Sequence, residues 1–225
     1  MKLKGIPVIA GKNRKLSIMI LEQKFPDLDY IILDDSFQHL KVKHDLDFVI
    51  FNEIGGIGNG FVLPAGILRE SMSVLKFADY IVFNGEGKIP EKLQKYNKIA
   101  LKGNYQIKKF YDLNKNEIAI EKLKNQKVAL LSGIGQPKSF EKTVLDSGLK
   151  FEEHFRFPDH FNYKDYGIIR DLKNKVENNK IDYLLTTEKD FMKLQFMENL
   201  ELPLVVVAVE FCLATNFKLL EIPIG

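Results

Sequence analysis

The sequence predicts an α/β fold with mainly parallel sheets, because of two patterns in its apolar residues. Short apolar runs recur along the chain, and they are continuous and rich in β-branched or aromatic residues. Continuous runs are typical of strands that are buried on both faces, as in a parallel sheet covered by helices. Between several runs the apolar residues recur with helical spacing, and the order strand, helix, strand indicates α/β architecture.

Seven apolar runs are predicted to form strands, and three segments are predicted to form helices. The strand runs are residues 6–10, 30–33, 48–51, 80–83, 128–131, 183–185 and 204–209. Apolar faces with helical spacing are formed by Leu16, Met19, Ile20 and Phe25, and by Phe140, Val144, Leu145 and Leu149. The second of these helices ends at Gly148, a suitable C-terminal cap, and a third helix covers residues 166–176.

The stretch from about residue 103 to 127 separates two α/β halves. It is rich in Lys and Asn and has no strong period, so it is predicted to contain one or two strands and a connector. We therefore expect two domains, residues 1–110 and 111–225.

Composition excludes several classes of protein. The chain has 225 residues, of which 45% are hydrophobic and 28% charged, which excludes disordered and collagen-like chains. The longest apolar run, residues 202–209, is far shorter than the roughly 20 residues that span a bilayer. Cys212 is the only cysteine, so no disulfide framework exists and a cytoplasmic location is expected. The net charge of +3 comes mostly from dispersed lysines, so no nucleic-acid partner is expected.

Two adjacent carboxylates follow the predicted strand 30–33. Asp34 and Asp35 stand at its carboxyl end, where open α/β sheets bind their ligands. An apolar strand ending in Asp has the form of a Walker B strand, whose carboxylate holds Mg²⁺ beside nucleotide phosphates. From the residues alone, a structural role as the cap of a turn or helix is equally compatible with this pattern.

A glycine-rich segment, residues 55–60, precedes the pair Arg69 and Glu70. Its spacing does not match a dinucleotide-binding loop, so it is predicted to be a mobile loop before a helix that starts at Arg69. A helix N-terminus with an adjacent arginine suits a phosphate group. The alternative is an exposed ion pair that has no part in binding.

Two further segments combine a strand end with polar residues. His160 stands in a Pro-Asp-His turn, where Asp159 either caps the following helix or orients the imidazole, and an incidental turn histidine is the alternative. Thr187 and Asp190 form a sequence close to a capping box, which explains most of the second segment structurally. The histidines lack zinc-site spacing, and no serine-hydrolase elbow occurs.

The segments occur in an order that closely resembles the tetraacyldisaccharide 4′-kinase family, the lipid A 4′-kinases, from about residue 5 to 209. The motifs are Asp-Asp-x-Phe-Gln-His from Asp34, Leu-Pro-Ala-Gly-x-Leu-Arg-Glu from Leu63, Ala-Asp from Ala78 before a strand ending Asn84-Gly85, Ser-Gly-Ile-Gly-x-Pro from Ser132, Phe-Pro-Asp-His-x-x-Tyr from Phe157 and Thr-Thr-Glu-Lys-Asp-x-x-Lys-Leu from Thr186.

The resemblance implies an enzyme of lipid A biosynthesis. Such an enzyme uses ATP and Mg²⁺ to phosphorylate the 4′-hydroxyl of a lipid-linked glucosamine disaccharide, a precursor of lipopolysaccharide, at the cytoplasmic face of the inner membrane. The implied fold is a P-loop domain joined to a Rossmann-like α/β domain, with ATP and Mg²⁺ in the cleft between them. The chain is therefore expected to be cytoplasmic and peripheral on the inner face of the inner membrane.

The resemblance also implies roles for individual residues. Asp34 and Asp35 fall on the Walker B position and would act on Mg²⁺, and His160 would support the family's catalytic aspartate. The remaining implied site residues are Gln38 and His39, which line the site, and Arg69 and Glu70, which lie near the nucleotide. No role follows for Thr187, Glu188, Lys189 and Asp190.

Two departures from the family pattern stand out. Ser36 occupies a position that is usually Gly, which would be strained if the backbone there needs a positive φ. Nothing in the sequence matches a P-loop, GxxxxGK[ST], or the Gly-Asp-Glu-Pro segment that supplies the family's catalytic aspartate. We therefore expect a fragment, from a mis-called start, a split gene or a decayed copy. The alternatives are a non-catalytic remnant and an unrelated Mg²⁺-dependent nucleotide-binding protein.

Overall fold

The computed structural model describes residues 5–197 and 200–214, and it confirms an α/β fold built on one mostly parallel sheet. The strands are β1 (Phe48–Asn52), β2 (Tyr80–Asn84), β3 (Ile99–Tyr111), β4 (Glu117–Ile118), β5 (Val128–Ser132), β6 (His154–Arg156), β7 (Tyr183–Thr187) and β8 (Leu204–Leu213). The helices are α1 (Arg14–Lys24), α2 (Glu91–Gln94), α3 (Ile120–Lys124), α4 (Pro137–Asp146), α5 (Tyr166–Asn178) and α6 (Glu188–Leu194), with a 3₁₀ helix at Met72–Phe77.

The strand order is β1-β2-β3-β8-β7-β5-β6, with the short β4 beside β3. Neighbours on this path are parallel except β3 and β8, which run antiparallel. These two long strands connect the halves, since β3 pairs with β2 from Ile99 to Gly103 and then with β8 as far as Tyr111. The one or two strands expected between residues 103 and 127 are therefore confirmed as β3 and β4. The division into domains 1–110 and 111–225 stays a prediction, and residues 1–4 and 215–225 lie outside the described residues.

The apolar residues of the C-terminal half form the expected buried core. Every residue of β5 is buried, and helices α4 and α5 cover the sheet with faces that include Val144 and Leu172. Leu145 was predicted to lie on the apolar face of α4, but it is 51% exposed, because it points away from the packed side that Val144 occupies. The helix ends as predicted, with Gly148 at φ +84°.

Two predicted strands of the N-terminal half are absent. Residues 6–10 and 30–33 form no strand, and Ile32 is 89% exposed. A single extended segment is stabilised mainly by side chains and hydrogen bonds of a neighbouring strand. No strand in the described part of the chain pairs with either segment.

Helix α1 forms as predicted, although none of its residues is buried. Asn13 caps its N-terminus by accepting the backbone N–H of Leu16 at 3.2 Å. Leu16 and Met19 of the predicted apolar face remain 53% and 55% exposed. Within residues 5–197 and 200–214, no helix has both the length and the apolar character required to cross a membrane.

Candidate active site

The two carboxylates predicted to bind metal lie in an exposed turn after residues 30–33. Nη1 of Arg69 donates hydrogen bonds to both carboxylate oxygens of Asp35, at 2.7 and 2.8 Å. These hydrogen bonds, together with the positive charge of Arg69, lower the pKa of Asp35, and they raise the pKa of Arg69. The structure therefore brings together two of the sequence motifs, which are 34 residues apart.

The other predicted residues of this region take no part in these hydrogen bonds. The side chains of Gln38, His39 and Glu70 are exposed and make no hydrogen bond or ion pair among the described residues. The positive charge that His39 carries when protonated contributes to the lowered pKa of Asp35, and Arg14 donates to the backbone oxygen of Asp34 at 3.0 Å. The turn is thus surrounded by cationic groups, which suits an anionic ligand.

The helix predicted to start at Arg69 differs from expectation. It is a 3₁₀ helix of six residues that starts at Met72, with Ser71 as its cap. Arg69 and Glu70 therefore precede it, in a bend of the chain. The N-terminus of this helix therefore does not coincide with Arg69, and the cationic group at that position is the guanidinium of Arg69.

The backbone strain considered for Ser36, which stands where the family usually has glycine, is absent. The positive φ in this turn belongs to Asp35, at +49°, and Ser36 does not share it. The Ser36 side chain is buried, and its hydroxyl donates to the carbonyl of Leu33 at 3.4 Å. Replacing glycine by serine is therefore compatible with this backbone.

His160 lies in the Pro-Asp-His loop, which we define as residues 158–163. Its backbone N–H donates to Oδ1 of Asp159 at 2.9 Å and to the carbonyl of Gly133 at 3.2 Å, whereas its side chain is 76% exposed. One prediction was that Asp159 caps helix α5, and it is wrong. Asp165 occupies the cap position and accepts the N–H of Gly167. A hydrogen bond from Lys189 to Asp159 instead lowers the pKa of Asp159.

The predicted site residues thus form two groups. No hydrogen bond or ion pair joins His160 to Asp34, Asp35 or Arg69 within the described ranges.

Thr187 caps α6 as predicted, since its hydroxyl oxygen accepts the N–H of Asp190 at 3.1 Å.

Sequence reasoning missed a groove at the carboxyl ends of β1 and β2. Asn84 donates to Oδ1 of Asn52 at 2.8 Å, and Glu53 accepts the backbone N–H groups of Glu86 and Gly87 at 3.2 and 2.9 Å. Helix α4 of the other half closes the groove. The available signal was the rule that ligands bind beyond the carboxyl ends of parallel strands, together with the Asn84-Gly85 motif at the end of β2.

The carboxylate turn has donors of the kind that Mg²⁺ uses. Asp34 and Asp35 are exposed and supply hard oxygen atoms, and Mg²⁺ is usually held by one or two carboxylates with water and phosphate oxygens. In the described part of the chain, no three His, Cys, Asp or Glu residues are grouped to hold a metal on their own. The carboxylate of Asp34 therefore fits a Mg²⁺ ion shared with a phosphate ligand, whereas both oxygens of Asp35 already accept hydrogen bonds from Arg69.

Comparisons with known proteins agree with the motif order. The family model described as tetraacyldisaccharide-1-P 4′-kinase matches residues 1–221. A tetraacyldisaccharide 4′-kinase of Halothermothrix orenii is 30% identical over 98% of this chain and 63% of its own length. One from Actinobacillus succinogenes is 35% identical over 69% of this chain and 47% of its own length.

A solved structure is also similar. LpxK from Aquifex aeolicus, crystallised in complex with ATP, has a TM-score of 0.58 and 25% identity, covering 87% of this chain and 56% of that one. This chain therefore spans about half to two thirds of the length of these relatives. Its sequence and fold together show that it belongs to the tetraacyldisaccharide 4′-kinase family.

Proposed function

We propose that this chain carries part of the active site of an ATP-dependent kinase that phosphorylates the 4′-hydroxyl of tetraacyldisaccharide 1-phosphate in lipid A biosynthesis. The observation that carries the proposal is the family match over residues 1–221, which includes every motif described above. The pairing of Asp35 with Arg69 supports it, because it joins two of those motifs in one cationic turn.

ATP is proposed to bind between the halves of the chain. The groove beyond β1 and β2 supports this assignment, since Asn52 and Asn84 offer amide groups that can hydrogen-bond a nucleotide. The relative from Aquifex aeolicus was crystallised with ATP, and it has the same fold over most of this chain.

The carboxylate turn is proposed to act on the phosphates. Asp34 and Asp35 would hold Mg²⁺, which neutralises charge on the transferred phosphoryl group when it is bound. Phosphoryl transfer depends mainly on positioning and charge stabilisation, and Arg69 suits this task because its guanidinium stays charged and can bind two oxygens. Gln38, His39 and Glu70 would line the same site.

His160 is proposed to assist proton transfer from the sugar hydroxyl. Its imidazole is exposed on a loop at the end of the sheet, with Nε2 3.8 Å from Oδ2 of Asp159. In this position the ring can hold a proton for the group that deprotonates the 4′-hydroxyl. The family's aspartate for that task falls in a motif that has no match in this sequence.

The protein is proposed to work at the cytoplasmic surface of the inner membrane as a peripheral enzyme. Large apolar side chains are exposed on the loop that leads to Arg69, including Phe61 at 65%, Leu63 at 66% and Ile67 at 57%. Exposed apolar groups next to a cationic site suit a substrate that has acyl chains and phosphate.

Reconstitution would test the proposal. The chain is assayed for ATP-dependent 4′-phosphorylation of the tetraacyldisaccharide, alone and mixed with the region of the Halothermothrix orenii kinase outside the match. Activity in the mixture, with losses of at least about a hundredfold for Asp34→Asn and for His160→Ala, supports the roles assigned here. Lys173→Met, which changes an exposed ion pair with Glu201, is the control. No activity in either assay would favour a non-catalytic remnant.

A further inference from the structure

Helix α6 contacts the Pro-Asp-His loop from beneath, and its motif received no role from the sequence. Lys189 and Lys193 donate hydrogen bonds to the loop itself, and Asp190 accepts one from Gly133, which in turn bonds to the loop. We call Lys189, Asp190 and Lys193 the α6 contact residues.

The buried member of the group is Asp190, which is connected to the backbone of His160 through a single residue, Gly133. Its carboxylate is fully buried, and Oδ2 accepts the N–H of Gly133 at 3.0 Å and the hydroxyl of Thr187 at 2.8 Å. The carbonyl of Gly133 in turn accepts the N–H of His160 at 3.2 Å. These hydrogen bonds link the buried side of α6 to the backbone of the loop at His160.

The two lysines contact the loop on either side of His160. Nζ of Lys189 donates to Oδ1 of Asp159 at 2.9 Å, and Nζ of Lys193 donates to the carbonyl of Phe161 at 2.8 Å. Lys189 and Lys193 are four positions apart and therefore share one helix face. The residues before and after His160 are thus both attached to α6, while the imidazole between them stays exposed.

The backbone of the loop is unusual and needs such support. His160 and Tyr163 have φ values of +60° and +56°, a region that side-chain-bearing residues seldom adopt. Strained backbones persist where the surroundings fix them, and they cluster at functional sites. Tyr163 is fully buried, and its ring packs edge-on against Phe161 at 5.0 Å.

Gly133 permits this close packing. A Cβ atom at this position would lie 3.0 Å from the hydroxyl of Tyr163 and 3.2 Å from Oδ1 of Asp190. The approach of the loop to α6 therefore depends on a glycine in the turn after β5.

We propose that the α6 contact residues are positioning residues for His160. They fix the backbone on both sides of the histidine, so that its exposed imidazole is presented in one orientation to the reacting groups. This inference rests on the proposed function of His160, and it assigns a task to the motif that starts at Thr186.

Nuclear magnetic resonance of the whole chain tests the inference without ATP or substrate. The imidazole signals of the four histidines are recorded, and the signal of His160 is assigned by its loss in His160→Gln. In Lys189→Met/Lys193→Met we expect the His160 signal to shift and broaden, and its amide hydrogen to exchange about tenfold faster. The signal of His154, whose buried ring bonds to Glu141 of α4 and to Ser132, should not move.

Conservative replacement separates positioning from general stability. Lys189→Arg/Lys193→Arg retains both donors, so it should restore the His160 signal and its slow exchange. Lys173→Met removes a comparable ion pair away from the loop and should change neither. An unchanged His160 in the methionine variant, or equal changes in His154, would overturn the inference. That result would leave the proposed kinase intact, whereas an inactive kinase with a fixed loop would leave the positioning role intact.

Discussion

Two loops carry the predicted site residues, and they are held in opposite ways. The carboxylate turn around Asp35 is held mainly at the surface. Asp35 pairs with Arg69, with side chains 62% and 64% accessible, and Arg14 donates to the carbonyl of Asp34. The Pro-Asp-His loop rests on a fully buried carboxylate, two lysines and a buried tyrosine. Under the proposed roles, a loop that presents one imidazole would need a fixed backbone, whereas carboxylates that share a hydrated ion would tolerate a looser one.

The apolar segments that precede Ser132 and Asp34 also differ in burial. Residues 128–131 and 30–33 are both continuous apolar runs that end in polar residues. The first run is a central strand between two neighbours, with Leu131 fully buried, whereas Ile32 of the second is 89% exposed. The tertiary surroundings, and not the local pattern, decide whether such a run is core.

The largest contrast is expected from truncating one apolar residue in each run. Leu131→Ala should reduce the free energy of unfolding by about 3–4 kcal/mol, because it opens a cavity in a fully packed region. Ile32→Ala should change it by less than about 0.5 kcal/mol. Urea denaturation followed by circular dichroism measures both. Equal losses in the two variants would show that Ile32 is buried in solution, contrary to the comparison.

This contrast also explains how far the sequence could predict the molecule. Apolar runs identified β2, β5, β7 and β8, because these strands have neighbours on both sides and are largely buried. They also identified β1, although it lies at the edge of the sheet and its Ile50 is exposed. The sequence pattern could not identify the short β6 or the pairing of β3 with β8, since both depend on residues distant in the chain. The motif at Thr186 was recognised as a helix cap, but its contact with Gly133 spans 57 residues and leaves no local signal.

A smaller contrast is expected between the two aspartates of the loops. Asp190→Ala should destabilise the chain by about 2–3 kcal/mol, because it leaves the N–H of Gly133 and the hydroxyl of Thr187 buried without an acceptor. Asp35→Ala should cost less than about 1 kcal/mol, since its pair with Arg69 is exposed. Melting temperatures measured in the same buffer compare the two. A larger loss for Asp35→Ala would reverse the distinction drawn here.

A pH titration extends the comparison to the buried side of α4. Burial lowers the pKa of His154, although a hydrogen bond with Glu141 opposes this, and the ring also contacts Ser132 at 2.8 Å. The folded chain therefore favours neutral His154. The resulting contribution to the free energy of unfolding is present above the ordinary histidine pKa and declines as pH falls from about 7 to 5. The lowered pKa of Asp35 affects stability only in more acidic solution, where the carboxylate becomes protonated.

Urea midpoints at several pH values between 7.5 and 5.5 measure this effect. The decline should be shallower in His154→Gln than in the unsubstituted chain, whereas Asp35→Asn should leave the slope in this window unchanged. A slope that is the same in His154→Gln would indicate that the folded chain binds protons at His154 as readily as the unfolded chain does.

The smallest effect concerns Ser36, where the chain departs from its family. Its backbone does not need a positive φ, so Ser36→Gly relieves no strain and instead adds conformational freedom to the unfolded chain. The variant also loses the buried hydroxyl that bonds to Leu33. We expect it to be less stable by about 0.5–1 kcal/mol, as measured by urea denaturation. Greater stability in Ser36→Gly would indicate that serine strains the backbone of the carboxylate turn.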